Sequence, residues 1–68
     1  MADLREEMIE GLVQYFKAGI EKHRINVEIL LEKRVGVAEH PEVMETIEGE
    51  LAKMAELADK ISVLRTYF

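Results

Sequence analysis

An apolar heptad repeat in both halves of this 68-residue chain constrains its fold more than any other feature. In the first half the repeat occupies Ile9, Val13, Phe16, Ile20, His23, Val27 and Leu30. In the second half it occupies Met44, Ile47, Leu51, Met54, Ala58, Ile61, Arg65 and Phe68. Both sets advance in alternating steps of three and four residues, which is typical of a helix that buries one face against another helix. The pattern therefore predicts an all-α protein whose two helices share one coiled-coil-like contact face, here called the seam.

The two helices are separated by the segment that contains Gly36 and Pro41. Gly36 suits the residue that follows a helix C-terminus, because glycine adopts the left-handed backbone conformation without strain. Pro41 suits the first turn of a helix, where its missing N–H would have no partner. We therefore predict one domain, residues 1–68, with helices at about 3–34 and 41–66 and a loop at about 35–40. So short a loop makes the two helices antiparallel, as a hairpin.

Gly19 leaves one alternative open, a first helix that breaks there and gives a three-helix bundle. Glycine inside a helix costs about 1 kcal/mol relative to alanine. However, the heptad steps continue across Gly19 without a shift, and no turn-forming residues surround it. We therefore prefer one continuous first helix.

Charge and composition argue against several classes of function. Fourteen acidic and nine basic side chains give a net charge of −5, which argues against nucleic acid as the main partner. The absence of cysteine excludes a disulfide framework and a thiolate metal site. The acidic N-terminal segment does not resemble a signal peptide, and the longest apolar run, Ile29-Leu30-Leu31, is far too short to span a membrane. We therefore expect a cytoplasmic protein with no membrane partner.

A second set of residues, largely apolar, lies beside the predicted seam and has no partner within a two-helix hairpin. This strip consists of Met8, Leu12, Tyr15, Gly19, Val43, Leu57 and Leu64. A core of this size rarely supplies more than about 3–5 kcal/mol, so burying the strip against a second copy would add stability. The sequence thus predicts a homodimer or a higher homo-oligomer, in which two hairpins form a four-helix bundle.

Ile25 and Ile29 lie on the side of the first helix that faces away from the seam. Two exposed β-branched residues close together indicate an interface better than either residue alone. We predict a contact surface here, for another copy or for a different protein.

His23 is the only ionisable residue in the middle of the seam. A buried histidine that changes charge near neutral pH would act as a switch. Alternatively, His23 from two chains could hold a small ligand or a metal inside the bundle. A histidine that only packs, with one ring nitrogen hydrogen-bonded, is the plainer interpretation, because a metal site needs several ligands and no Glu-x-x-His pair is present. We therefore predict no metal ligands.

The sequence contains no recognisable catalytic motif. No phosphate-binding loop and no nucleophile paired with a base is visible. Acidic residues of the second helix alternate with Lys53 and Lys60, which is typical of a solvated helix surface. We therefore predict no catalytic residues and no cofactor. A non-enzymatic protein that acts through protein–protein contacts is favoured, and a ligand-binding or metal-binding bundle that uses His23 is the alternative.

Four segments resemble those of a known group of proteins. They are Val35-Gly36-Val37-Ala38-Glu39-His40-Pro41, Ile47-Glu48-Gly49-Glu50-Leu51, Asp59-Lys60 and Val63-Leu64-Arg65-Thr66-Tyr67-Phe68. Across most of its length the chain resembles small hypothetical proteins of T4-like cyanophages and marine metagenomes. The resemblance implies a phage accessory or host-modulating protein in the host cytoplasm, with a host or phage protein as a further partner. It implies no catalytic residues.

Overall fold

The computed structural model describes residues 3–32 and 42–68, which form two α-helices. Helix α1 spans Leu4–Glu32 and helix α2 spans Glu42–Tyr67. The all-helical hairpin predicted from the heptads is confirmed for these residues. Helix α1 continues through Gly19, so the three-helix alternative is wrong. The predicted loop, with Gly36 and Pro41, and the helix ends expected at residues 34 and 41 lie outside the described residues.

The first turn of α1 is closed by a side-chain cap. The Asp3 carboxylate accepts a hydrogen bond of 2.8 Å from the backbone N–H of Glu6, and the Asp3 carbonyl accepts one of 3.1 Å from the N–H of Glu7. Capping satisfies a backbone donor that has no partner within the helix. The acidic side chains of Glu6 and Glu7 also lie at the positive end of the helix dipole.

The two helices pack side by side and antiparallel. At one end the guanidinium of Arg5 donates a hydrogen bond to the Phe68 carbonyl, and further along α1 His23 meets Glu50. Residue numbers therefore rise along α1 as they fall along α2. The chain extends 56 × 20 × 10 Å, and the smallest dimension is about the diameter of one helix. The hairpin is thus a single layer of helices.

The seam predicted on α1 is confirmed. Val13 is 1% exposed, and the other six predicted positions, from Ile9 to Leu30, are half-buried. Among the described residues, Val13 is the only fully buried side chain. A pair of helices covers each seam residue from one direction only, so most of them keep contact with solvent.

The seam predicted on α2 is wrong at five of its eight positions. Met44, Leu51 and Phe68 are 71%, 50% and 68% exposed, and Ala58 and Arg65 are exposed as well. The half-buried positions of α2 are instead Val43, Ile47, Glu50, Met54, Leu57, Ile61 and Leu64. The two sets share Ile47, Met54 and Ile61, so α2 is rotated by part of a turn relative to the prediction. The rotation places the larger Leu57 and Leu64 inside.

Candidate self-association surface and buried polar cluster

Large apolar side chains lie exposed along the whole length of α1. They are Leu4, Met8, Leu12, Tyr15, Ile25, Ile29 and Leu31. Tyr15 is 73% exposed although its ring lies beside that of Phe16, with 5.7 Å between the centroids. Leu4, Met8, Tyr15, Ile25 and Ile29 fall on one side of α1 and form a row there, whereas Leu12 and Leu31 lie off it. Single exposed apolar residues are normal, but several on one side of a helix indicate an interaction surface.

Shallow grooves lie along the described part of the hairpin, and three of them border these exposed side chains. The first has a volume of about 560 Å³ and is lined by Leu4, Arg5, Met8, Ile9, Leu12, Leu64 and Phe68. The second, of about 300 Å³, is lined by Leu12, Phe16, Asp59, Lys60, Val63, Leu64 and Phe68. The third, of about 400 Å³, is lined by Tyr15, Ala18, Gly19, Lys22, His23 and Leu57. Apolar atoms dominate the walls of all three, and Leu12, Leu64 and Phe68 are common to the first two.

The structure divides the predicted self-association strip into two groups. Met8, Leu12 and Tyr15 are exposed, as a strip available to another chain would be. The remaining members, Gly19, Val43, Leu57 and Leu64, are half-buried.

Gly19 and Leu57 contact each other within one chain. A Cβ atom placed on Gly19 would lie 2.8 Å from Cδ1 of Leu57. The missing side chain at Gly19 therefore lets α2 approach α1 inside the hairpin. Self-association through Met8, Leu12 and Tyr15 stays a prediction.

The two isoleucines predicted as a partner surface, Ile25 and Ile29, are 45% and 54% exposed. They lie on the same row as Leu4, Met8 and Tyr15. The structure thus joins two surfaces that the sequence treated separately.

His23 belongs to a polar cluster in the seam. Its Nδ1 atom lies 2.5 Å from Oε2 of Glu50, and the side-chain amide of Asn26 donates to the same oxygen over 3.3 Å. The side chains of His23 and Glu50 are only 13% and 14% exposed. Because a carboxylate only accepts, Nδ1 carries the hydrogen, and in the neutral ring Nε2 is then the bare nitrogen.

The cluster lowers the pKa of the Glu50 carboxyl below its ordinary value of 4.5. The hydrogen bond from His23 is the largest cause. Partial burial opposes it, and Asn26 and the charges of His23 and Lys53 add to the lowering. The hydrogen bonds from His23 and Asn26 therefore stabilise the ionised form of Glu50 in the seam.

Sequence reasoning missed Glu50 as a seam residue. The sequence of α2 does allow this second seam. Two heptad patterns share Ile47, Met54 and Ile61 and differ by one residue at the positions between them. The register that contains Glu50 also contains Leu57 and Leu64, which bury more apolar surface than Ala58 and Arg65.

Within one chain, the residues that the structure describes bring together no group of metal ligands. Nowhere in 3–32 and 42–68 do three or more histidine, aspartate or glutamate side chains form a group able to hold a metal ion. His23 has one carboxylate beside it, from Glu50, and Asn26 next to that.

Neither α1 nor α2 has the length and apolar character that crossing a membrane requires.

Comparison with known proteins adds no relative to these observations. The chain matches no protein-family model, no curated protein and no solved structure.

Proposed function

We propose that this protein is a non-enzymatic helical hairpin that acts through protein–protein contacts, first of all with a second copy of itself. One observation carries the proposal: Val13 is the only fully buried side chain among the described residues, while a row of large apolar side chains along α1 faces solvent. Apolar area removed from water stabilises a fold. A second hairpin that covers this row on α1 would therefore add stability and give a four-helix assembly.

Sedimentation equilibrium at micromolar concentration tests the proposal. We expect a mass about twice the 7.8 kDa of one chain. The double substitution Met8→Lys and Tyr15→Lys should return the mass to that of one chain, because two charges would then face the second copy.

Met44→Lys together with Leu51→Lys is the matched control. These two side chains are also large, apolar and exposed, but they lie on α2 away from the row on α1. The control should keep the doubled mass. A wild-type chain that unfolds cooperatively with the mass of a single chain would contradict the proposal.

A phage accessory or host-modulating role, in the cytoplasm of the host, is a further part of the proposal. It rests on the resemblance of the segment 35–41 and of the Tyr67-Phe68 end to small cyanophage proteins. A pull-down from infected host lysate tests it. Recovery of the chain with copies of itself and no host or phage protein would contradict a further partner.

Binding of a small ligand or metal through His23 is the second candidate. The observation that favours it is the groove of about 400 Å³ that His23 lines, together with the Glu50 hydrogen bond, which fixes the ring as carboxylates do for metal-binding histidines. Titration with Zn²⁺ should then raise the unfolding midpoint of the wild type and leave that of His23→Ala unchanged. A wild-type midpoint indifferent to Zn²⁺ removes the metal.

A further inference from the structure

A complete heptad stripe runs along the outer side of α1, and all of its members are exposed. It consists of Leu4, Met8, Gly11, Tyr15, Ala18, Lys22, Ile25 and Ile29. At 3.6 residues per turn these positions fall within an arc of about 100°, separate from the seam that faces α2. This arc is as wide as the apolar face of a helix that packs against a neighbour. The stripe is called the outer stripe below.

We propose that the outer stripe binds the outer stripe of a second copy, α1 against α1 and antiparallel about a two-fold axis near residues 16 and 17. This inference rests on the self-association proposed above and specifies its partner and orientation. In this register Tyr15 of each copy lies opposite Ala18 of the other, and Gly11 lies opposite Lys22. Met8 then faces Ile25. Large side chains meet small ones at the centre, which is the filling that dense helix packing needs.

Tyr15 is the anchor of the proposed contact. Its side chain is 73% exposed and borders the groove of about 400 Å³ that Ala18 and Gly19 line. The two-fold axis brings Tyr15 of one copy over this groove in the other. Tyrosine offers a large contact area at low entropic cost and is enriched among residues that dominate interfaces.

Gly11 supports the same arrangement. A Cβ atom placed there would meet nothing within 4 Å, so no contact among the described residues requires glycine. Glycine inside a helix is nevertheless less stable than alanine, because it loses more backbone freedom on folding. Opposite the long side chain of Lys22, a glycine lets a second helix approach closely.

The exposed area of the chain agrees with a second copy as the occupant. The accessible surface is 5528 Å², whereas a folded monomer of 7.8 kDa exposes roughly 4,400 Å². The excess, on the order of 1,000 Å², is about the area that each chain contributes to a stable homodimer. A second copy is also the one partner whose surface carries the same stripe, as a two-fold interface requires.

Two tyrosines provide a matched test of the anchor. Tyr67, on α2, is 74% exposed and lies outside the outer stripe. Tyr15→Ala should weaken the dimer about tenfold or more in sedimentation equilibrium, and Tyr67→Ala should leave the dissociation constant unchanged. Equal effects of the two substitutions would overturn the assignment of Tyr15 as the anchor.

Engineered cysteines test the orientation, since the chain has none of its own. An oxidised mixture of Met8→Cys and Ile25→Cys chains should give a disulfide between the two variants. Met8→Cys alone should give none, because the two copies of residue 8 would lie about 26 Å apart at 1.5 Å per residue, and a disulfide needs Cα atoms within about 7 Å.

Mass and cross-linking together separate the two proposals. A doubled mass in which Met8→Cys links to itself, or in which the mixture gives no disulfide between the variants, would overturn the antiparallel stripe alone. The mass of a single chain in the wild type would overturn the self-association on which it rests.

Discussion

Val13 is where the two helices come closest to enclosing a side chain. It is 1% exposed, whereas its neighbours in the seam, Ile9 and Phe16, keep part of their surface in water. Apolar area removed from water stabilises a fold by about 25 cal/mol per Å². Because so few side chains are fully covered, a single seam residue carries a large share of the stability.

We expect Val13→Ala to lower the free energy of unfolding by about 2 kcal/mol, from the loss of two buried methyl groups and the cavity they leave. Chemical denaturation followed by circular dichroism measures the change. Lys17→Ala, one turn further along α1 and exposed, is the control and should stay within about 0.5 kcal/mol of the wild type. Similar losses in both variants would mean that Val13 is not the centre of the seam.

Glu50 shows how a charged residue is accommodated in an apolar seam. Its carboxylate accepts hydrogen bonds from His23 and Asn26, and these favour the ionised form. A carboxyl group whose pKa is lower in the folded state stabilises the fold above its unfolded pKa, and this stabilisation is lost as the pH falls through the folded value. For Glu50 the loss begins near 4.5 and continues below it.

We therefore expect the unfolding midpoint of the wild type to fall on acidification below pH 4.5, and part of this fall to be absent in Glu50→Gln. Thermal melts followed by circular dichroism across this range measure the effect. Glu48→Gln, which removes an exposed carboxylate two residues earlier, should keep the wild-type pH dependence. Glu50 would have no such role if the pH profiles of both variants ran parallel to that of the wild type.

At the level of the helices, two glycines in helix interiors have different surroundings. Gly19 of α1 faces Leu57 of α2, and a Cβ there would lie 2.8 Å from Leu57 Cδ1. Gly49 of α2 has open space around it, because a Cβ added at this position would meet no atom of the described residues within 4 Å. The first glycine therefore has a packing reason within the hairpin, and the second has none.

Alanine at these two positions should have unequal effects on stability. Gly49→Ala should raise the free energy of unfolding by about 0.5–1 kcal/mol, because alanine favours the helix. Gly19→Ala should raise the free energy of unfolding clearly less, or lower it, because the Cδ1 methyl group of Leu57 has to move. Chemical denaturation of both variants and the wild type at the same chain concentration measures the difference. Equal gains would show that Leu57 does not press against Gly19.

The two helices also differ in how well the sequence predicted them. In α1 the seven predicted seam positions are buried or half-buried, but the half-buried Asn26 beside Glu50 was not among them, because a polar side chain does not belong to an apolar repeat. In α2 the register with Met44 and Leu51 avoids a charged residue in its middle, and the register with Leu57 and Leu64 includes Glu50. Which of the two registers faces α1 depends on His23, which donates a hydrogen bond to Glu50 only when the two helices are paired.

Self-association could be predicted from the sequence only as far as the residues of one chain allow. The sequence identified Met8, Leu12 and Tyr15 as apolar positions outside the seam, and the structure shows them exposed. Whether these side chains contact a second chain depends on the surface of that chain, and the structure of one hairpin does not include it. Only the complementarity of large and small residues along α1 indicates the orientation.

For the whole molecule, folding and association should be coupled. A hairpin 10 Å thin, with one fully buried side chain in its described residues, has little core of its own. The second copy that we propose on α1 would bind the folded state and not the unfolded chain. Such binding raises the apparent stability as the concentration of the partner increases.

The dependence of the unfolding midpoint on chain concentration tests this claim most directly. Thermal melts of the wild type over a wide range of concentration should show a midpoint that rises steadily, together with a mass of two chains below the transition. A midpoint that stays constant over that range, with the mass of one chain, would contradict the account.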